Sequence, residues 1–153
     1  MCDYVPNRVS VVVPCFNAEP WIAEAINSCL SQTYPHVEVI VVDDGSTDGS
    51  LAVMESYGTE IRIETGPNRG GSHARNLGFR RARGEYIQFL DADDYLLPEK
   101  IERQVAFLGE TGADVVYGDW QHRYHEPDGS SYLGEVHISG MQEDVLESLL
   151  AGW

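Results

Sequence analysis

The sequence predicts an α/β domain built on a largely parallel central sheet with helices on both faces. Short β-branched runs alternate with segments whose apolar residues recur at helical spacing, in the order β-α-β-α-β-α-β-α-β. Such alternation is typical of parallel sheets, because the connection between two parallel strands carries a helix back over the sheet. At 153 residues the chain is long enough for one domain with its own core. We therefore expect residues 1–153 to form a single domain.

The first half of the chain supplies three predicted strands and two predicted helices. Residues 9–13 are a β-branched run stopped by Pro14, which indicates a buried strand. Pro20 suits the first turn of a helix, which continues with apolar residues at helical spacing: Ile22, Ala25, Ile26, Cys29 and Leu30. The pattern then predicts a strand over 37–42, a short helix over 48–57 and a strand over 61–64.

The second half continues the alternation and then changes to antiparallel strands. A helix is predicted over 72–83, a strand over 85–90, a helix from Pro98 that ends at Gly109 and Gly112, and a strand over 115–117. Residues 120–138 indicate a small antiparallel hairpin around the turn at 127–129. Ser139 and Gln142 form a capping box for a last helix through Leu150.

Charge and cysteine content argue against several classes of protein. The formal net charge of −15 disfavours nucleic acid or anionic lipid as a general partner. The 3 cysteines have no CxxC spacing, which indicates reduced thiols of a cytoplasmic protein. The apolar runs are too short to span a membrane, and the N-terminus has no signal-peptide pattern. Peripheral membrane docking of a longer protein remains compatible with this composition.

The most informative stretch is the apolar run 86–90, which ends in three closely spaced carboxylates, Asp91, Asp93 and Asp94. Carboxylates at the end of a buried strand lie at the mouth of an open α/β sheet, where ligands bind. They repel one another unless a cation lies between them, and hard oxygen ligands suit Mg²⁺ or Mn²⁺ that carries phosphate oxygens. An Asp-rich turn before the helix at Pro98 is the alternative interpretation.

Three more loops follow predicted strands and should meet these carboxylates at one edge of the sheet: 14–17, 43–46 and 67–71. Ordinary turn chemistry explains each loop taken alone. An Asp at the end of a central strand can accept a hydrogen bond from a base, and Phe16 can offer that base an apolar face. Free backbone N–H groups in the loop before the helix at Ser72 would suit an anion. The ligand implied is a nucleoside diphosphate with its metal.

These four loops carry a resemblance to family 2 glycosyltransferases of GT-A fold. The matching segments are Val11-Val12-Val13-Pro14-Cys15-Phe16-Asn17, the block from Val42 to Ser50, Asn68-Arg69-Gly70-Gly71 with Ala74 to Gly78, and Gly84 to Asp94, all in the order of the family. The resemblance implies a GT-A type sheet and inverting transfer of a sugar from a nucleotide-diphosphate-sugar. It further implies UDP as the nucleotide, with GDP and dTDP as alternatives because one Asp does not specify a base, Mn²⁺ or Mg²⁺ as cofactor, and a sugar, lipid-linked or protein acceptor.

The resemblance also implies roles for individual residues. Asp44 would contact the base, Asp91 the ribose and metal, and Asp93 the metal directly. Arg75, or alternatively Arg69, would neutralise the diphosphate, unless either forms a structural salt bridge. The donor-binding set is Pro14, Phe16, Asn17, Glu19, Asp44, Asn68, Gly70, Arg75, Asp91 and Ala92, and the metal set is Asp91 and Asp93.

The catalytic base is missing from these sets. The family usually continues well beyond the length of this chain, so we expect the domain to be truncated before its acceptor-binding half. Asp119 is a candidate for the base or an acceptor contact, with a turn residue as the alternative. Glu143 and Asp144 fit the first turn of the last helix, whose apolar cluster could support self-association: Leu146, Leu149, Leu150 and Trp153.

Two functions of different class follow from the sequence. One is a glycosyltransferase represented by its donor-binding half; the other is a module that binds a nucleotide diphosphate or nucleotide-sugar without turnover. Other phosphate enzymes fit less well, because a nucleotidyltransferase usually has a Gly-rich basic loop after its first strand and a phosphatase has its Asp-x-Asp there. No Gly-x-Gly-x-x-Gly follows the opening strand, so a dinucleotide-binding fold is unsupported.

Overall fold

The structure, a computed structural model, describes residues 4–138. Its elements are β1 (Val5–Cys15), α1 (Ile22–Leu30), β2 (Val37–Asp43), α2 (Ser50–Glu55), β3 (Arg62–Thr65), α3 (Gly71–Arg81), β4 (Gly84–Phe89), α4 (Lys100–Thr111), β5 (Trp120–His125) and β6 (Ser131–His137). The last predicted helix and its apolar cluster lie outside the described residues. In the part of the chain that is described, the helices are too short or too polar to cross a membrane.

Strands β1 to β4 form one parallel sheet in the order β3-β2-β1-β4. The central strand β1 pairs with β2 from Val9↔Val37 to Cys15↔Asp43 and with β4 on its other side. The chain proceeds outward from β1 to β3, and α3 then returns it to the opposite side of β1. The strand order therefore reverses between β1 and β4, and ligands of open α/β sheets bind in the crevice at such a reversal.

Helices cover both faces of this sheet, as the alternating pattern predicts. On one face, Val11, Val13 and Val41 share a core cluster with Ile22 and Ile101, which belong to α1 and α4. The other face packs on α3 through Ile40, Val42 and Ala74. Because successive residues of a strand point to opposite faces, each of the central strands supplies both cores. The continuous β-branched runs of β1 and β2 reflect this burial on two sides.

Strand β1 continues through Pro14, although the sequence predicts that Pro14 stops it. Pro14 lies opposite Val42 in the pairing of β1 with β2. The backbone nitrogen of Pro14 points towards β4. Val12, two residues earlier in the strand, points the same way, because its carbonyl accepts a hydrogen bond from the Leu90 N–H at 3.1 Å. Since β4 ends at Phe89, the N–H that Pro14 lacks would have no strand partner there.

Helix α4 ends as predicted at Gly112, whereas Gly109 lies within the helix. Gly112 has a φ of +68° and donates its N–H to the Leu108 carbonyl at 2.9 Å. A left-handed glycine just after the last helical residue is a common helix end, because it has no Cβ to oppose that conformation. The helix predicted from the apolar stripe is thus confirmed, and it begins at Lys100.

The strand predicted over 115–117 is wrong. No strand is assigned between α4 and β5, and Val115 is 71% exposed. β-Branched residues favour strands chiefly through packing against cross-strand neighbours, and within residues 4–138 this segment pairs with none. Asp119 consequently does not end a strand; it precedes β5.

Strands β5 and β6 form the predicted antiparallel hairpin. Its turn has Gly129 at a φ of +84°, with the Glu126 N–H donating to the Ser130 carbonyl at 2.9 Å. The chain divides into two compact units, Met1–Ala106 and Phe107–Trp153. The first contains the parallel sheet and the second the hairpin, and the interpretation of the whole chain as one domain stays a prediction.

Candidate functional site

A cavity of about 360 Å³ opens at the carboxyl ends of β1, β2 and β4, where the strand order reverses. Its size falls within the range of small-molecule sites. The lining residues come from the loops after these strands and from the starts of α1 and α3: Pro14, Cys15, Phe16, Asn17, Ala18, Trp21, Asp44, Gly71, Ala74, Arg75, Asp91, Ala92 and Asp93. Segments far apart in the sequence therefore meet at one site.

The loop after β1 is bound tightly to the loop after β2. Asn17, at a φ of +51°, donates its N–H to Ser46 Oγ at 3.0 Å, and its Oδ1 accepts the Thr47 N–H at 2.7 Å. Glu19 Oε2 accepts the Gly49 N–H at 2.9 Å, just before α2 begins. These bonds join the two loops to each other beside the cavity. Asn17 lines the cavity, whereas Glu19 lies outside its lining and holds the second loop.

The Asp44 carboxylate holds a third loop, the one before α3. Asp44 is only 5% exposed, and its Oδ1 accepts the Arg69 N–H at 2.9 Å while its Oδ2 accepts the Gly70 N–H at 2.7 Å. The prediction that this loop leaves its amides free for an anion is therefore wrong for these two amides. Both N–H groups instead donate to the buried Asp44 carboxylate, and burying a carboxylate without such hydrogen bonds would cost free energy.

Arg75 and Asp91 form an ion pair at the cavity, between α3 and the turn after β4. Both side chains remain partly exposed, Arg75 at 39% and Asp91 at 50%. The sequence left open whether Arg69 or Arg75 faces this site, and Arg75 is the one that lines the cavity. Asp93 lines it as well and is exposed. Among residues 4–138, no group of three or more His, Cys, Asp or Glu side chains could by itself hold a metal ion.

The rest of the wall is apolar or uncharged. Phe16 is 48% exposed and Trp21 38% exposed, and both residues line the cavity. Cys15 is buried, and this burial raises the pKa of its thiol. A raised pKa disfavours the nucleophilic thiolate, and Cys15 contributes part of the cavity wall.

Eight residues of the predicted site line one cavity: Pro14, Phe16, Asn17, Asp44, Arg75, Asp91, Ala92 and Asp93. Glu19, Asn68 and Gly70 do not line it and belong to the loops that surround it. Five further lining residues were absent from the predicted donor and metal sets: Cys15, Gly71 and Ala74, which lie within the motif segments, and Ala18 and Trp21, which lie outside them. The sequence does contain one indication for Trp21. This large aromatic residue lies directly before the apolar stripe of α1, which starts at Ile22, and it does not belong to that stripe.

The parallel sheet, its flanking helices and this cavity define a GT-A type fold, and comparison with known proteins agrees. The sequence profile of Glycosyl transferase family 2 matches residues 10–146. The chain belongs to this family. It is 38% identical over 129 residues to glycosyltransferase GlyG of Streptococcus pneumoniae, covering 82% of this chain and 42% of GlyG.

Solved structures give the same result. The structure of S. aureus TarS 1–349 in complex with UDP-GlcNAc matches with a TM-score of 0.64 and 37% identity, over 70% of this chain and 32% of that one. Mannosyltransferase PcManGT from Pyrobaculum calidifontis, in complex with GDP-Man and Mn²⁺, matches with a TM-score of 0.58 and 30% identity, over 78% of this chain and 37% of that one. The chain spans less than half the length of each of these three relatives.

Proposed function

We propose that this chain is the donor-binding part of an inverting glycosyltransferase that uses a UDP-sugar and Mn²⁺ or Mg²⁺. The observation that carries the proposal is the cavity at the strand reversal, in which Phe16 and Asp44 occur together with Arg75, Asp91 and Asp93. The Phe16 ring and the Asp44 carboxylate suit a nucleoside. Arg75, together with a cation held by the other two carboxylates, suits its diphosphate. The relatives bound to UDP-GlcNAc and to GDP-Man with Mn²⁺ support the same ligand class.

The base and ribose would bind at the end of the cavity formed by the loops after β1 and β2. The Asp44 N–H donates to the Cys15 carbonyl at 2.8 Å, so the backbone beside Phe16 lies directly against Asp44. Each oxygen of the carboxylate can accept a second hydrogen bond besides the one from the loop before α3. Asp44 would thus accept from the base while Pro14 and Phe16 cover the base with apolar surface.

Glu19, Asn68 and Gly70 would support the nucleotide indirectly. They hold the surrounding loops, as does Asn17, which also lines the cavity. A site whose loops are bonded to one another before ligand arrives loses less conformational entropy on binding. We therefore assign these residues to preorganisation of the donor site.

The residues around Ala92 fit a divalent cation. Asp91 and Asp93 offer hard oxygen atoms on one turn, and they are the residues that would hold the cation, since residues 4–138 contain no cluster of three or more His, Cys, Asp or Glu ligands. Once bound, such an ion neutralises charge on a departing diphosphate. Arg75 holds Asp91 in place and presents a guanidinium to the same phosphates.

Binding without sugar transfer is the second candidate. The carboxylates that line the cavity are Asp44, Asp91 and Asp93, and each is already assigned to the nucleotide or the cation. Asp119 belongs to the other compact unit, and its role as base or acceptor contact stays a prediction. Hydrolysis of UDP-GlcNAc or transfer of its sugar by this chain would exclude a purely binding role.

A cytoplasmic location is part of the proposal. Among the described residues, Cys15 and Cys29 are both free and buried, as expected for a protein of a reducing compartment. Acceptor and self-association are left to experiment, and no nucleic acid is expected as a partner of a chain with a net charge of −15.

The test is calorimetric titration of UDP into this chain, with Mn²⁺ and again with EDTA. We expect binding that needs the metal and that is lost in Asp93→Asn. Asp94→Asn is the matched control, because Asp94 is adjacent in sequence and does not line the cavity. UDP binding that is unchanged by EDTA, or equal losses in both variants, would contradict the assignment of Asp93 to the metal. Absence of UDP binding by the folded, unaltered chain would contradict the proposed function itself.

A further inference from the structure

Among residues 4–138, Arg75 is the one lysine or arginine that lines the cavity. Its Nη2 pairs with Asp91 Oδ1, and both side chains remain partly exposed. Gly71, the first residue of α3, leaves room for this arrangement, because a Cβ at that position would lie 3.2 Å from Arg75 Nη1. The ion pair therefore lies within the cavity, where both solvent and a ligand reach it.

The carboxylates of the cavity differ in what already neutralises them. Asp44 is buried and accepts two backbone N–H groups from the loop before α3. Asp91 instead accepts the charged guanidinium of Arg75. A divalent cation held by Asp91 and Asp93 thus shares one of its two carboxylates with a positively charged side chain.

A guanidinium and a divalent cation at the same carboxylate repel each other. Arg75 therefore weakens the affinity of Asp91 for a cation as long as no other anion is near. A diphosphate changes this balance, since its oxygen atoms accept bidentate, charge-assisted hydrogen bonds from a guanidinium. Arg75 can then share its charge with the phosphates, and Asp91 becomes a better ligand.

We propose that Arg75 is a positioning residue that couples cation binding to nucleotide binding at this site. This inference rests on the proposed function. Arg75 neutralises Asp91 until a nucleoside diphosphate accepts its guanidinium, so Asp91 holds a cation weakly without the nucleotide and more tightly with it. By linkage, the cation strengthens nucleotide binding by the same factor. The side chain of Arg75 thus makes the site select the metal–nucleotide pair over the free metal.

The experiment makes two measurements on the unaltered chain and on Arg75→Gln. Mn²⁺ binding without nucleotide is followed by the electron paramagnetic resonance signal of the free ion, and UDP binding with Mn²⁺ by calorimetric titration. We expect Arg75→Gln to bind Mn²⁺ alone about fivefold more tightly, because Asp91 loses its competing positive charge. The same variant should bind UDP with Mn²⁺ about tenfold more weakly, because a charged donor to the phosphates is lost.

These opposite changes distinguish the proposal from a merely structural role, which would weaken both affinities. Arg75→Lys keeps the positive charge and should therefore bind Mn²⁺ alone much as the unaltered chain does. Arg81→Gln is the matched control, because Arg81 lies at the far end of α3, pairs with Glu64 at 3.0 Å and does not line the cavity. It should change neither affinity appreciably.

A double variant tests whether the effect acts through Asp91. Against an Asp91→Asn background, Arg75→Gln should give no further gain in Mn²⁺ affinity. An equal gain in both backgrounds would overturn the proposal, as would unchanged or weaker Mn²⁺ binding by Arg75→Gln or undiminished UDP binding by it. In each of these cases, metal-dependent UDP binding by the unaltered chain would still uphold the proposed function. Failure of the unaltered chain to bind UDP would overturn both.

Discussion

At the scale of single residues, Asp44 uses both carboxylate oxygens to hold the loop before α3. In Asp44→Asn one oxygen becomes an amide NH₂, which places a donor against a backbone donor in a buried site. We expect this variant to lose about 1–3 kcal/mol of unfolding free energy in urea denaturation, because a buried N–H would lose its partner.

Asp43→Asn is the matched control for that prediction. Asp43 is also buried, but the one side-chain bond described for it joins its Oδ1 to the Ser46 N–H at 3.1 Å. An asparagine oxygen can still accept this bond, so Asp43→Asn should cost clearly less stability. Equal losses in the two variants would show that Asp44 does not hold the loop through a pair of bonds.

At the scale of elements, α3 lies so close to the sheet that only glycine fits at position 78. A Cβ on Gly78 would lie 2.3 Å from Val12 Cγ1 and 3.2 Å from Val42 Cγ2. Although alanine favours helices over glycine, we expect Gly78→Ala to destabilise the fold by about 1–3 kcal/mol, because the helix must move away from β1 and β2. Thermal or urea unfolding measures this loss.

Gly109→Ala provides the opposite case in α4. A Cβ on Gly109 would meet no atom within 4 Å, so only the helical preference of alanine should act there. We expect a gain of about 0.5–1 kcal/mol in unfolding free energy. If both glycine variants changed stability in the same direction, close packing of α3 would not be the cause.

At the scale of the whole molecule, stability should depend on pH through Lys100, which donates a hydrogen bond to Gln88. Burial lowers the pKa of Lys100 from its ordinary value of 10.5 to about 8. Between these pH values the unfolded chain binds the proton that the folded protein has lost, so stability rises as pH rises from about 8 towards 10.5. As pH falls through 8, that gain is lost.

Lys100→Met isolates this effect in urea unfolding measured at several pH values. The Cys29 thiol acts in the opposite sense, because burial raises its pKa to about 12 and its unfolded form loses a proton first. Cys29 is present in both proteins, so the difference between them reports chiefly on Lys100. The unaltered chain should gain stability relative to Lys100→Met as pH rises above 8. Parallel pH profiles would contradict a lowered pKa of Lys100 in the folded protein.

Local patterns were sufficient to predict the type of nearly every described element and the residues at the strand ends. Periodicity distinguishes β1, β2 and β4 from α1, α3 and α4, because strands and helices repeat their buried positions at different intervals. Carboxyl ends of parallel strands share one edge, so the order of strands and loops in the sequence was enough to predict that Phe16, Asp44 and Asp93 line the same cavity.

Features that depend on contacts between distant segments became visible in the folded chain and could not be predicted from local patterns. The strand order puts β1 at the centre and opens the cavity at its junction with β4. Asp44 finds its partners 25 and 26 residues away, and Arg75, not Arg69, pairs with Asp91. Residues 115–117 have strand propensity but pair with no described strand. The physical reason is common to these cases: a sequence pattern specifies the local conformation, whereas hydrogen bonds and ion pairs require a partner that folding must bring into range.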